Sequence, residues 1–175
     1  MQILGVNGFE DWFHDPAACL VSDGRLTCFV EEERLCRVKH APGAPPKLAV
    51  GECLRVGGRQ WEDIDVIAVG WDIPTLMGLG GTHTSVGDAA GRLLRSLGAP
   101  SHVSPKRVLF VPHHEAHAWS VVGLHPVSPS LVVVADGQGE FESTSVFRFE
   151  NGMLKRLTAL GPAHSLGYFY EAASA

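Results

Sequence analysis

The chain has 175 residues, 45% hydrophobic and 19% charged, with a formal net charge of −5. That balance excludes a disordered or collagen-like chain and leaves enough length for a domain with a real core. It also argues against a strongly basic nucleic-acid-binding face, and no apolar run reaches the roughly 18 residues of a membrane span. Met1 to Phe9 has neither a charged n-region nor a cleavage site, which predicts a cytoplasmic chain. The four cysteines, Cys19, Cys28, Cys36 and Cys53, form no CxxC pair and match no zinc module. They are expected to be reduced thiols without a chemical role.

In chain order, Gln2 to Asn7 and Ala17 to Ser22 read as strands. Asp23-Gly24 then predicts a hairpin back into Leu26 to Glu31, because Gly reaches positive φ without steric cost. These three strands form an antiparallel meander. Glu31 to Arg37 is charged and helix-tolerant, and the Pro/Gly run from Ala41 to Pro46 breaks it. Lys47 to Val56 is a helix stopped by Gly57-Gly58. Val66 to Trp71 has the β-branched run of a buried parallel strand. Gly78 to Gly87 reads as a flexible loop, and Ala89 to Leu97 as a helix.

Arg107 to Val111 is a strand, followed by a helix over Pro112 to Leu124 with Pro in its first position. Leu131 to Ala135 reads as a buried strand ending in Asp136-Gly137-Gln138-Gly139-Glu140. Ser143 to Phe149 and Leu154 to Leu160 flank an Asn151-Gly152 hairpin. A short helix starts near Ser165. The alternation predicts an α/β fold with a mixed sheet.

Several constellations carry chemistry. His113 and His117 are spaced i, i+4, which puts both imidazoles on one helical face, where they can clamp a divalent metal. The other reading is a helix start that carries polar residues. Glu115 sits in the wrong place for the base of a zinc protease and points away. Asp136 follows a strand, at the carboxyl end of the sheet where α/β proteins put their sites. It is a candidate third ligand, and Gly137 and Gly139 would let phosphate approach the backbone. His14, before Asp15-Pro16, reads as a turn residue or as a general base. Glu31 to His40 reads as a solvated charged face, or as a source of donors (Arg34, Arg37, Lys39) for a phosphate or carboxylate.

Taken in order, these motifs resemble a family. His14-Asp15-Pro16-Ala17-Ala18, Val21 to Gly24, Glu31 to Arg34 with Arg37 to His40, His113 to His117, Asp136 to Glu140 and Ser165 to Tyr170 are similar to the N-terminal part of NodU/CmcH-type O-carbamoyltransferases. The resemblance implies an actin-like ATPase (ribonuclease H-like) fold, first half only. Residues 1–175 would be the N-terminal portion of the Kae1-like domain. The second half, with a further metal aspartate, and a YrdC-like domain would be absent here and supplied by a downstream polypeptide. It implies that ATP and carbamoyl phosphate give carbamoyl adenylate, whose carbamoyl group passes to a hydroxyl of a small-molecule acceptor in antibiotic or sugar chemistry. It implies iron(II) on His113, His117 and Asp136, His14 as general base, and Lys39 and Arg34 with Gly137 and Gly139 as donor-binding residues.

The family varies over Gly8 to Trp12, and the sequence after Tyr170 drifts from its pattern. Two alternatives stand beside this reading. One is a non-catalytic remnant or binding module. The other is a Kae1/TsaD-like tRNA threonylcarbamoylation protein, which shares the HxxxH motif but needs a tRNA surface that the negative net charge disfavours. A chain holding part of a sheet is expected to expose apolar surface and to self-associate.

Overall fold

Two tight turns organise the strands. Asp23 and Gly24 have φ values of 49° and 79°, and Asn151 and Gly152 have 52° and 74°. Positive φ at both central residues is the type I′ geometry that matches the strand twist. The computed structural model describes residues 1–9, 13–81, 83–103 and 107–174. Residues 10–12, within the family-variable segment, lie outside the described residues. The chain divides into two compact units, Met1–Phe110 and Val111–Ala175.

The first unit is built on a mixed five-stranded sheet in the order β3-β2-β1-β4-β5. Its strands are β1 (Gln2–Asn7), β2 (Ala17–Ser22), β3 (Arg25–Glu31), β4 (Val66–Val69) and β5 (Arg107–Phe110). The first three form the expected antiparallel meander, and β4 pairs in parallel with both β1 and β5. Helices α1 (Glu32–Cys36), α2 (Lys47–Gly57), α3 (Ile73–Leu79) and α4 (Val86–Leu97) complete the unit. Alternate residues of β1 and β4 point into one core: Leu4, Val6, Ile67 and Val69 pack with Ala49, Val50 and Cys53 of α2 and Leu93 and Leu97 of α4.

Part of the expected loop over Gly78 to Gly87 is helical. α3 ends only at Leu79, and α4 starts at Val86. Asp72 caps α3 by accepting the Thr75 N–H at 3.3 Å, and Ser85 caps α4 by accepting the Asp88 N–H at 3.1 Å. The charged run is also not a purely solvated face. Glu32 and Glu33 are buried, and the Glu32 carboxylate accepts the N–H groups of Leu48 and Ala49 at 3.1 and 2.7 Å.

The second unit holds α5 (His113–Leu124), the antiparallel sheet β6 (Ser130–Ala135), β7 (Thr144–Glu150) and β8 (Met153–Leu160), and α6 (Leu166–Ser174). Pro112 is the N-cap of α5 and lies just outside the helix, one position earlier than expected. Ala118 and Val122 of α5 pack on Val132 and Val134 of β6 and on Phe147 and Phe149 of β7. β6 is therefore not a buried strand. Only one of its faces is covered, and Leu131 and Val133 are each 65% exposed. The expected result for the isolated chain is concentration-dependent self-association in light scattering, reduced by Val133→Glu.

Candidate metal centre

α5 presents His113 and His117 one turn apart, and β6 runs out into Asp136 beside them. His113 Nε2 lies 3.0 Å from Asp136 Oδ2 and 3.0 Å from His117 Nε2. His117 Nε2 lies 3.5 Å from Asp136 Oδ2. With metal–ligand bonds of about 2.1 Å, neighbouring ligands stand roughly 3.0–3.4 Å apart. The three atoms thus already have the separations of ligands to one cation, and two imidazoles with a carboxylate suit a first-row divalent ion. The donor set fits the iron(II) that the resemblance implies.

The electrostatics favour the ligating forms. Burial holds the His117 imidazole below its ordinary pKa, and neighbouring His113 adds to the effect. Neutral imidazole is the form that binds metal. Burial works the other way on Asp136, but the Gly137 N–H at 2.6 Å and His113 outweigh it and hold its carboxyl below the usual range. Glu115 accepts the Trp119 Nε1–H at 3.3 Å and belongs to no group of potential metal ligands among the described residues.

A second set of contacts fixes these side chains. Buried Glu140 accepts the His113 N–H with both carboxylate oxygens, at 3.0 and 3.1 Å. An anion at a helix N-terminus is favourable, and this one ties the loop after Asp136 to α5. His114 is fully buried; its Nδ1 lies 2.8 Å from Ser145 Oγ, and burial lowers its pKa. Ser165 Oγ donates to the Gly137 carbonyl at 2.7 Å and accepts the Tyr168 N–H at 3.0 Å, pinning the start of α6.

Gly137 and Gly139 differ. A Cβ on Gly137 would make only ordinary contact with the Tyr168 ring at 3.6 Å, whereas on Gly139 it would press on His114 Cδ2 at 3.0 Å. Gly167 is the most constrained of this group. A Cβ there would lie 2.6 Å from the Gly137 nitrogen and 2.9 Å from the Asp136 carbonyl carbon. Backbone cannot yield as a side chain does. Gly167→Ala is therefore expected to cost about 1–3 kcal/mol in urea unfolding and to weaken metal retention by shifting Asp136.

The remaining expected site residues belong to the first unit. His14 sits in the β1–β2 loop with its side chain 78% exposed, and its Nδ1 is 2.7 Å from Asp15 Oδ2. Lys39 Nζ lies 3.0 Å from Glu33 Oε2. Arg34 pairs with Glu31 at 3.1 Å and Glu33 at 3.3 Å. Both cations already have carboxylate partners. Asp15, Glu33 and His40 also bring potential ligand atoms within 4.8 Å of one another, but the Lys39 ammonium on Glu33 opposes a cation there. Sequence reasoning gave no role to Asp15, His114, Glu140 or Gly167. All four lay inside noted motifs, but nothing in those motifs marked their contacts.

No protein-family model matches the chain. It is 36% identical over 169 residues to the nodulation protein NolNO of Sinorhizobium fredii, a match covering 91% of this chain and 25% of that protein. It is 28% identical over 195 residues to an uncharacterised Synechocystis protein, covering 98% of this chain and 31% of that one. The chain thus spans about a quarter to a third of the length of these relatives. Among solved structures, YeaZ from Pseudomonas aeruginosa superposes with a TM-score of 0.50 at 15% identity, over 93% of this chain and 68% of that one. A second Pseudomonas aeruginosa protein, described as similar to peptidase YeaZ, gives 0.51 at 17% identity with the same coverage. At such identities the likeness speaks for the actin-like fold alone. No helix among the described residues is long and apolar enough to cross a membrane. In sequence the chain is similar to NodU-type carbamoyltransferases through the quarter of NolNO that it matches, and in fold to the actin-like YeaZ proteins.

Proposed function

We propose that the chain is the N-terminal part of an O-carbamoyltransferase that moves a carbamoyl group from carbamoyl phosphate, through carbamoyl adenylate, to the hydroxyl of a small-molecule acceptor. The observation that carries this reading is the convergence of His113, His117 and Asp136 in a chain related to NolNO. Polypeptide beyond these residues supplies a second actin-like half and the YrdC-like domain that makes the adenylate.

In this reading His113, His117 and Asp136 would hold iron(II). A bound divalent ion offsets phosphate charge and polarises the donor. The acceptor oxygen attacks the carbamoyl carbon, a new C–O bond forms, and the bond to the adenylate phosphate oxygen breaks. AMP leaves with the electron pair. His14 takes the acceptor's proton, since a hydroxyl is a weak nucleophile without a base within hydrogen-bond reach. Lys39 and Arg34 face the anionic part of the donor, exchanging contacts with Glu33 and Glu31 for contacts with phosphate. Gly137, which has room beside it, lets phosphate approach the backbone, and Gly139 keeps the same loop close to α5.

The test supplies iron(II), ATP, carbamoyl phosphate and a panel of hydroxyl acceptors to the chain alone and to the chain with its downstream polypeptide. Transfer by the second form, abolished by His113→Ala, is expected. A tRNA arm tests the Kae1-like alternative, with which the HxxxH motif is also compatible. Absence of transfer and of bound metal in both forms would overturn the proposal in favour of a non-catalytic module.

A further inference from the structure

Within the first unit, the loop carrying His14 and the segment carrying Lys39 and His40 are joined at Asp15. Its carboxylate uses both oxygens: Oδ2 lies 2.7 Å from His14 Nδ1, and Oδ1 lies 2.7 Å from His40 Nδ1. The backbone of Asp15 is held from two sides. Its N–H donates to the His40 carbonyl at 2.9 Å, and its carbonyl accepts Asn7 Nδ2 at 3.0 Å. Asn7 in turn accepts the Trp71 Nε1–H at 3.2 Å. Asp15 and His40 have φ values of 53° and 60°, a region that non-glycine residues occupy sparingly. The surrounding bonds hold them there.

The other charged groups of this cluster among the described residues are Glu31, Glu33, Lys39 and Arg34. Glu33 accepts the His40 N–H at 2.8 Å and Lys39 Nζ at 3.0 Å, and Arg34 lies 3.3 Å away. The cations around Glu33 are thus paired by Glu33 and Glu31, and the contacts of the Asp15 carboxylate are with the two imidazoles. Hydrogen bonds from His40 and then His14 keep the Asp15 carboxyl below its ordinary range. It is therefore an ionised acceptor throughout the neutral range.

We infer that Asp15 is a positioning residue that locks neutral His14 in the Nδ1–H tautomer and leaves its Nε2 as the bare, basic nitrogen; this rests on the reading of His14 as the general base. The reason is donor arithmetic. A carboxylate only accepts, so the imidazole nitrogen facing it must carry the hydrogen. A neutral imidazole has one N–H, and if it lies on Nδ1 the lone pair is on Nε2. The same carboxylate contacts His40, so one side chain ties the loop carrying His14 to the segment carrying Lys39 and His40. No bond is made or broken by Asp15, and no proton leaves it.

The test is nitrogen-15 NMR of the 175-residue chain at a pH where its imidazoles are neutral. His14 is expected to show a protonated Nδ1 and a bare Nε2. Asp15→Gly removes the carboxylate, and glycine still reaches the positive φ. In that variant the ratio of Nδ1–H to Nε2–H at His14 is expected to fall by about tenfold or more, as for loss of a hydrogen bond to a charged group. His40→Ala is expected to leave His14 unchanged. A wild-type His14 in the Nε2–H form overturns the inference even if Asp15→Gly does not fold, and so does a variant that keeps Nδ1–H. The base reading is tested separately by transfer in His14→Gln with the downstream polypeptide present. If transfer survives there, that reading fails while the tautomer measurement stands.

Discussion

Asp136→Ala is expected to weaken retention of a divalent ion by more than about 100-fold, since even partners outside the ligand shell commonly contribute 10–100-fold. The measurement is competition against a chromogenic chelator on the 175-residue chain, with elemental analysis after gel filtration. The size of the effect follows from the geometry. Asp136 Oδ2 lies 3.0 Å from one imidazole nitrogen and 3.5 Å from the other, so its loss leaves two neutral donors and no charge to balance the cation. His117→Ala is expected to act similarly, because it leaves one imidazole and the carboxylate. Glu115→Ala is the control. Glu115 lies on the same helix but is bonded to Trp119, and its removal is expected to leave retention unchanged. Equal loss in Glu115→Ala would mean that the helix itself had been disturbed. Undiminished binding in Asp136→Ala would remove the metal centre from these residues.

The convergence of His113, His117 and Asp136 was legible because two of these residues share a helical face and the third follows a strand. Both signals are local, and tertiary packing only had to close the last few ångströms. The hairpins at Asp23-Gly24 and Asn151-Gly152 were legible for the same reason: a two-residue turn between apolar runs leaves few alternatives.

What was not legible depended on distant partners. Four consecutive charged residues, Glu31 to Arg34, look like a solvated face. Glu32 is buried because the donors it satisfies lie 16 and 17 residues further on. Asp15 meets His40 across 25 residues, and the composition of neither segment announces the contact. β6 looks fully buried because Leu131 to Ala135 is uninterrupted and apolar, yet within its unit only one face is covered. α3 escaped notice because a seven-residue helix gives too little periodicity to separate from a loop. A local signal did exist there, in Asp72 as N-cap with Pro74 in the first turn.

Glu32→Ala is expected to destabilise the first unit by about 2–3 kcal/mol in urea unfolding, through loss of charge-assisted hydrogen bonds and an unpaired donor. The accounting at the start of α2 gives the reason. Three N–H groups there precede the first intrahelical bond, Val50 to Pro46 at 2.9 Å. Lys47 donates to the Pro45 carbonyl at 2.8 Å, while Leu48 and Ala49 donate to the two oxygens of Glu32. Pro46 is the N-cap and has no side-chain hydrogen bond to offer, so Glu32 from α1 serves as the cap. Its negative charge also faces the positive end of the helix dipole. Removal affects the two donors unequally. Leu48 is 49% exposed, so water can replace its bond, whereas Ala49 is fully buried and its N–H would be left unpaired. Glu32→Gln keeps the volume and one acceptor oxygen but turns an NH2 group towards the other donor. It is expected to lose most of the same stability, which separates the cap from simple packing. If Glu32→Gln matched the wild type, the carboxylate charge would not be what anchors α2 to α1.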